Sequence, residues 1–175
     1  MFKKLLKINK NKGASLVEMI LYIFILSIIL GIIAQMFVSL GGIYRNIRMN
    51  RELESSGYSI VNNLMREIKG ASSVVINESI FATSTGKITL SGFDENDIAY
   101  SIIFNKIENT VKISKNNEAF VSITPNSVSV DSLIFNYLSG TNSDAVKFEL
   151  SISAVSKNIT KSKKFYGFGV LRGSY

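Results

Sequence analysis

The sequence predicts an α+β protein in which one long N-terminal helix packs, through its outer half, on an antiparallel β-sheet. Three observations predict it. A basic start is followed by an uninterrupted apolar run, apolar residues then recur at helical spacing as far as Gly70, and beyond Ala71 the hydrophobic period changes from about 3.6 to 2. A chain of 175 residues, 46% of them hydrophobic, has material for one core and an appendage. It contains neither Cys nor His, which removes thiol nucleophiles, disulfides, imidazole bases and nearly every zinc or copper site.

The net charge of +7 is concentrated at one end. Lys3, Lys4, Lys7, Lys10 and Lys12 supply five of the seven charges with no acid among the first thirteen residues, so the rest of the chain carries only +2. A basic segment in front of an apolar one acts as a topology signal, because Lys and Arg are retained on the cytoplasmic side. Between Glu18 and Arg45 lie 26 residues without a formal charge and without proline. As a helix they would extend about 39 Å, enough to cross a hydrocarbon core of about 30 Å. Arg45, Arg48 and Arg51 follow the run beside Glu52 and Glu54, and are a weaker topology signal than the five leader lysines. The expected orientation has the N-terminus inside.

An ordinary secretory signal peptide shares the basic start and apolar middle, and Ser39-Leu40-Gly41 is a passable small-x-small cleavage site. A plain signal anchor is a further alternative. Neither explains Glu18, the one acid at the head of the apolar run.

The stretch "KGASLVEMI", residues 12 to 20, resembles the processing site of type IV prepilins and pseudopilins: a basic leader ending in Gly13, a small residue, a hydroxyl residue, two aliphatics, then Glu18 as fifth residue of the mature chain. With the apolar helix behind it, the likeness covers about forty residues. It implies cleavage between Gly13 and Ala14 by a prepilin peptidase, N-methylation of Ala14, and a role for Glu18 in filament assembly with other pilin subunits. Ala14 stands where the family most often has Phe, and Gln35 where major pilins often carry a proline. The resemblance also gives Glu18 a physical purpose. A carboxylate taken to the centre of a membrane helix costs about 2.5 to 3.5 kcal/mol. The new ammonium at a neighbour's Ala14 would offer it roughly 4 kcal/mol of attraction at 4 Å before desolvation, so the pair would act mainly by penalising wrong register.

Beyond the span, Ile43, Ile47, Ile60, Leu64 and Ile68 continue the helical spacing, Ser55-Ser56-Gly57 predicts a kink or short melt, and Gly70 after Lys69 is a stop signal. Ile98 to Phe104 and Val146 to Ile152 alternate as half-buried strands. Shorter strands are expected at Val74 to Ile76, Ile88 to Leu90, Val111 to Ile113, Phe120 to Ile123 and Val128 to Tyr137, the last with a bulge at Asp131-Ser132 where the apolar phase slips. Asn116-Asn117 and Ser139-Gly140 read as turns, and Pro125 ends a strand. The terminal "KKFYGFGVLRGSY" alternates Tyr166, Phe168 and Val170 with glycines and is similar to the last strand of minor pilins that join or prime a pilus tip. The expected organisation is a leader over 1–13, a membrane and assembly helix over 14–44, an outer amphipathic helix over 45–70 and an extracytoplasmic β-rich domain over 71–175.

Other chemistry is thin. Asp94/Glu95 and Glu52/Glu54 are carboxylate pairs with no nucleophile, metal ligand or oxyanion donor beside them, which fits solvated faces better than acid–base machinery. Lys161, Lys163 and Lys164 beside Phe165 and Tyr166 resemble a patch for weak contact with DNA, and fit a solvated hairpin loop better. No cofactor, no metal and no enzyme activity are expected. Two functional classes stand: a structural subunit, namely a minor pilin or pseudopilin held in the cytoplasmic membrane until it joins a cell-surface or periplasmic filament, and a membrane-anchored binding module that works as a monomer. Glu18 separates them, since a monomeric anchor has no use for it.

Overall fold

The computed structural model describes residues 15–93, 96–140, 143–156 and 159–172. Its contacts divide the chain into two units, one ending at Tyr44 and the other running from Arg45 onward. A single helix, α1 (Leu16–Gly70), contributes to both. It is unbroken through Ser55-Ser56-Gly57, so the short melt that this weak trio could give does not occur. The reason is packing. Ser56 and Gly57 are buried against the sheet side, so tertiary contacts outweigh low helix propensity.

The second unit is an α+β domain built on the outer part of α1. After a two-residue strand β1 (Ser73–Val74), Ile76 enters a 3-10 turn, Ile76–Glu78, and does not extend the strand. The strands β2 (Lys87–Phe93), β3 (Ala99–Ile107), β4 (Thr110–Lys115) and β5 (Val121–Ser122) complete a five-stranded sheet in sequence order. A second sheet, also in sequence order, holds β6 (Ser129–Ser139), β7 (Asp144–Ser156) and β8 (Ile159–Val170). All strand pairs within both sheets are antiparallel. The register of β6 on β7 shifts between Val130 and Ser132, which is the bulge that the slipped apolar phase predicts. Asn116 and Asn117 both take positive φ in the β4–β5 turn, a conformation that Asn tolerates better than most residues. The sheets are joined where Thr85 pairs in parallel with Leu133, and the Gly86 N–H donates to the Leu133 carbonyl at 2.8 Å.

One core unites helix and sheets. Met49, Leu53, Ile60, Leu64 and Ile68 line the buried stripe of α1 and meet Ile88, Leu90 and Phe104 from the first sheet and Phe135, Phe148 and Leu150 from the second. Ile43 and Ile47, which the spacing assigns to this stripe, are exposed; the buried stripe starts at Met49.

Strand β8 follows α1 in the same direction. Lys161 bonds to Asn50, Lys163 to Glu54, the Phe165 ring lies over Gly57 and edge-on to Tyr58, and Gly169 backs onto Ile68. Eighteen helical residues rise about 27 Å and eight strand residues about the same, so the two elements stay in step from end to end. The inward face of β8 therefore carries Phe165, Gly167 and Gly169, with Tyr166 and Phe168 exposed on the other. A Cβ at Gly169 would come within 2.7 Å of Ile68 Cγ2, so glycine is what allows this close approach. At the far end the Tyr100 hydroxyl donates to the Gly70 carbonyl at 3.0 Å and the Arg172 N–H to the Ala71 carbonyl at 2.9 Å, satisfying acceptors where the helix runs out.

Candidate functional site

The first unit is the apolar half of α1. The Ser15 carbonyl accepts the first intrahelical bond from the Met19 N–H at 3.1 Å, and from Leu16 to Tyr44 the large apolar side chains are exposed all round the helix. A window of this helix has mean hydropathy 2.8 and buries none of its residues inside the protein, a surface that water does not favour. Such a helix is consistent with a single-pass membrane anchor. Two of its hydroxyls are satisfied within the helix, as a lipid environment would favour. Ser27 donates to the Ile23 carbonyl at 2.8 Å and Ser39 to the Gln35 carbonyl at 3.1 Å, each one turn back.

Glu18 lies in the first turn of α1, where the positive end of the helix dipole favours a carboxylate. The Tyr22 hydroxyl donates to its Oε1 at 3.0 Å. Among the described residues this one bond leaves most of the acceptor capacity of the carboxylate unfilled by the helix that carries it. Tyr22 was not singled out from the sequence, although i,i+4 spacing from an acid to the next phenol along the helix is a sufficient signal. Gly13 and Ala14, the expected cleavage and methylation positions, lie outside the described residues, as do the five leader lysines.

In the second unit the three lysines beside Phe165 sit inside β8, so the hairpin loop expected for them is corrected to strand. The period of 2 in this segment is masked by its lysines, which is why it reads as a loop. Strand alternation sends Lys161 and Lys163 toward α1 and Lys164 to the opposite face. Lys161 donates to Asn50 Oδ1 at 3.1 Å, Lys163 to Glu54 Oε1 at 2.6 Å, and Lys164 to Glu149 Oε1 at 2.9 Å. The hydrogen bond and the charge of Glu149 raise the pKa of the Lys164 ammonium above its ordinary value. Lys163 also stands over the Phe165 ring, with Nζ 5.9 Å from its centroid. The three ammonium groups thus do not converge on one face, and two of them are matched by carboxylates.

Of the two carboxylate pairs read as solvated faces, Glu52 and Glu54 have cationic partners. Glu52 binds Arg48 at 3.0 Å and Glu54 binds Lys163, while Asp94 and Glu95 lie outside the described residues. Among the described residues no three His, Cys, Asp or Glu side chains are grouped to hold a metal ion. Comparison of the chain with protein-family models, with curated proteins and with solved structures finds no match.

Proposed function

We propose that this chain is a minor pilin or pseudopilin: a subunit cut after Gly13 by a prepilin peptidase, methylated at Ala14, held in the cytoplasmic membrane with its N-terminus inside, and assembled with other subunits into a cell-surface or periplasmic filament. The observation that carries the reading is the pairing of a fully exposed apolar helix with a single acid, Glu18, in its first turn. A monomeric anchor needs the apolar surface but not the acid. A packed filament needs both, because neighbouring helices bury the surface and a neighbouring terminal ammonium fills the carboxylate. The "KGASLVEMI" stretch supports the same reading through its resemblance to prepilin processing sites.

N-terminal mass spectrometry of the protein from its native membrane tests this directly. Removal of the thirteen-residue leader from 175 residues gives a mature chain of 162 beginning at N-methylated Ala14. A terminus near Gly42 would replace this reading with conventional signal-peptide removal, and an intact Met1 would leave a plain anchor. Replacing Gly13 by a bulky residue should leave the full-length chain in the membrane.

A further inference from the structure

The β7–β8 hairpin and the first turns of α1 after Tyr44 form one basic surface with an apolar edge. Ala154 and Val155 close a notch of about 330 Å³ with Arg45, Arg48 and Met49. On the other flank of the helix Lys161 reaches Asn50. Val155 is 69% exposed and Ile159 39%, both on the hairpin and both unusual as bare aliphatic side chains beside so many charges. Five cations, Arg45, Arg48, Arg51, Lys161 and Lys163, face two carboxylates, Glu52 and Glu54, a surplus of three. The Arg48 side chain is bonded to Glu52 yet remains 73% exposed.

The position of this surface along the chain decides what it meets. The first unit ends at Tyr44 and Arg45 is the next residue of the chain, so connectivity alone keeps Arg45, and Val155 in the notch that Arg45 lines, within about one Debye length, about 8 to 10 Å, of the outer headgroups. A basic surface at that range attracts anionic lipid, and short aliphatic side chains at its edge enter the headgroup layer.

We propose that this surface docks on the phosphate headgroups of anionic lipid in the outer leaflet, holding the second unit against the membrane before assembly. The inference rests on the reading of residues 19–44 as a membrane span, and goes beyond it by assigning a second, peripheral contact to Arg45, Arg51, Lys161, Val155 and Ile159. Docking of this kind would keep the Lys161 end of β8 against lipid until a filament withdraws the subunit.

The absence of native cysteine makes the test clean. The full chain is placed in nanodiscs of phosphatidylcholine, with or without phosphatidylglycerol, and labelled with a fluorophore at V155C, at L138C at the opposite end of the same sheet, or at L30C in the span. A nitroxide on the lipid headgroup or upper acyl chain serves as quencher. Docking predicts that V155C is quenched about threefold or more strongly in the anionic discs, and that this excess disappears in about 0.5 M salt, where the Debye length falls to about 4 Å. It also predicts a smaller excess in R45Q/R51Q and none at L138C. Equal quenching of V155C in the two lipids, with L30C quenched in both, overturns the docking alone. An unquenched L30C overturns the span and the docking together.

Discussion

The α-carbon of Gly57 lies directly beneath the ring of Phe165, with no room between them for a Cβ. Helix propensity alone would favour Gly57→Ala by about 1 kcal/mol. Overpacking a buried ring costs about 1 to 3 kcal/mol, so the substitution should lower stability on balance. Urea unfolding of residues 45–175 would read this, and Phe165→Leu in the same chain should recover part of the loss. A stabilised Gly57→Ala protein would show that the ring can move aside at little cost.

The helix is held to the sheets mainly by its apolar stripe. Leu64 is fully buried, and Leu64→Ala should cost about 2 to 5 kcal/mol. Lys163 and Glu54 form a short but half-exposed pair, and Lys163→Ala should cost no more than about 1 kcal/mol. Comparing the two variants by thermal unfolding checks the ranking; a reversal would mean that the charge pairs along β8 dominate.

Glu18 separates processing from assembly. Glu18→Val should still insert and still be cut after Gly13, because an apolar replacement eases entry into lipid. Incorporation into filaments should fall, since the incoming ammonium would lose its partner. Glu18→Asp should be intermediate, with the charge kept and the reach shortened by one methylene. Cleavage is read by mass and incorporation from sheared filaments of the same cells. Normal incorporation of the valine variant would sink the pairing mechanism.

Two groups make the second unit sensitive to alkali. The hydrogen bond to Asp144 raises the pKa of Tyr137 above its usual 10.0, and Glu149 raises that of Lys164 above its usual 10.5. Each folded-state pKa is higher than the unfolded one, so the stabilisation is complete below those unfolded values and is lost as pH climbs through the folded ones. Melting temperature should therefore fall above about pH 10, and Tyr137→Phe should remove part of that fall. A parallel decline in the Phe variant would assign the effect elsewhere.

Much of this architecture was legible because burial imposes a period. Val146, Phe148, Leu150 and Ile152 announce β7 by alternation alone, and the phase slip after Val130 locates the bulge in β6. Position-specific packing was not legible. Ser55-Ser56-Gly57 reads as a weak point until Phe165, more than a hundred residues away in sequence, is seen to cover it. The start of the buried stripe at Met49, and not at Ile43, depends on where the β7–β8 hairpin ends against the helix. At the candidate site the lone acid stood out against an uncharged run, whereas its Tyr22 partner is an apolar-looking member of that run. The lysines of β8 hid a strand because their charges interrupt the hydrophobic pattern even while their side chains alternate across it.

The parallel run of β8 along α1 also sets an order of events in time. Bonds from Lys161 to Asn50 and from Lys163 to Glu54 close loops spanning 111 and 109 residues, so the part of the stripe beneath β8 is covered only after that strand is made. Contacts of such long range form slowly, and until they form Met49, Leu53 and Ile60 are open to any passing apolar surface. A chain halted before Phe165 would retain the whole helix, the five-stranded sheet and the β6–β7 hairpin, yet leave the middle of that stripe exposed. Closure of the stripe is thus a late step that follows synthesis of β8, and a holding factor or a fast-docking strand is what the nascent protein would need to reach it intact.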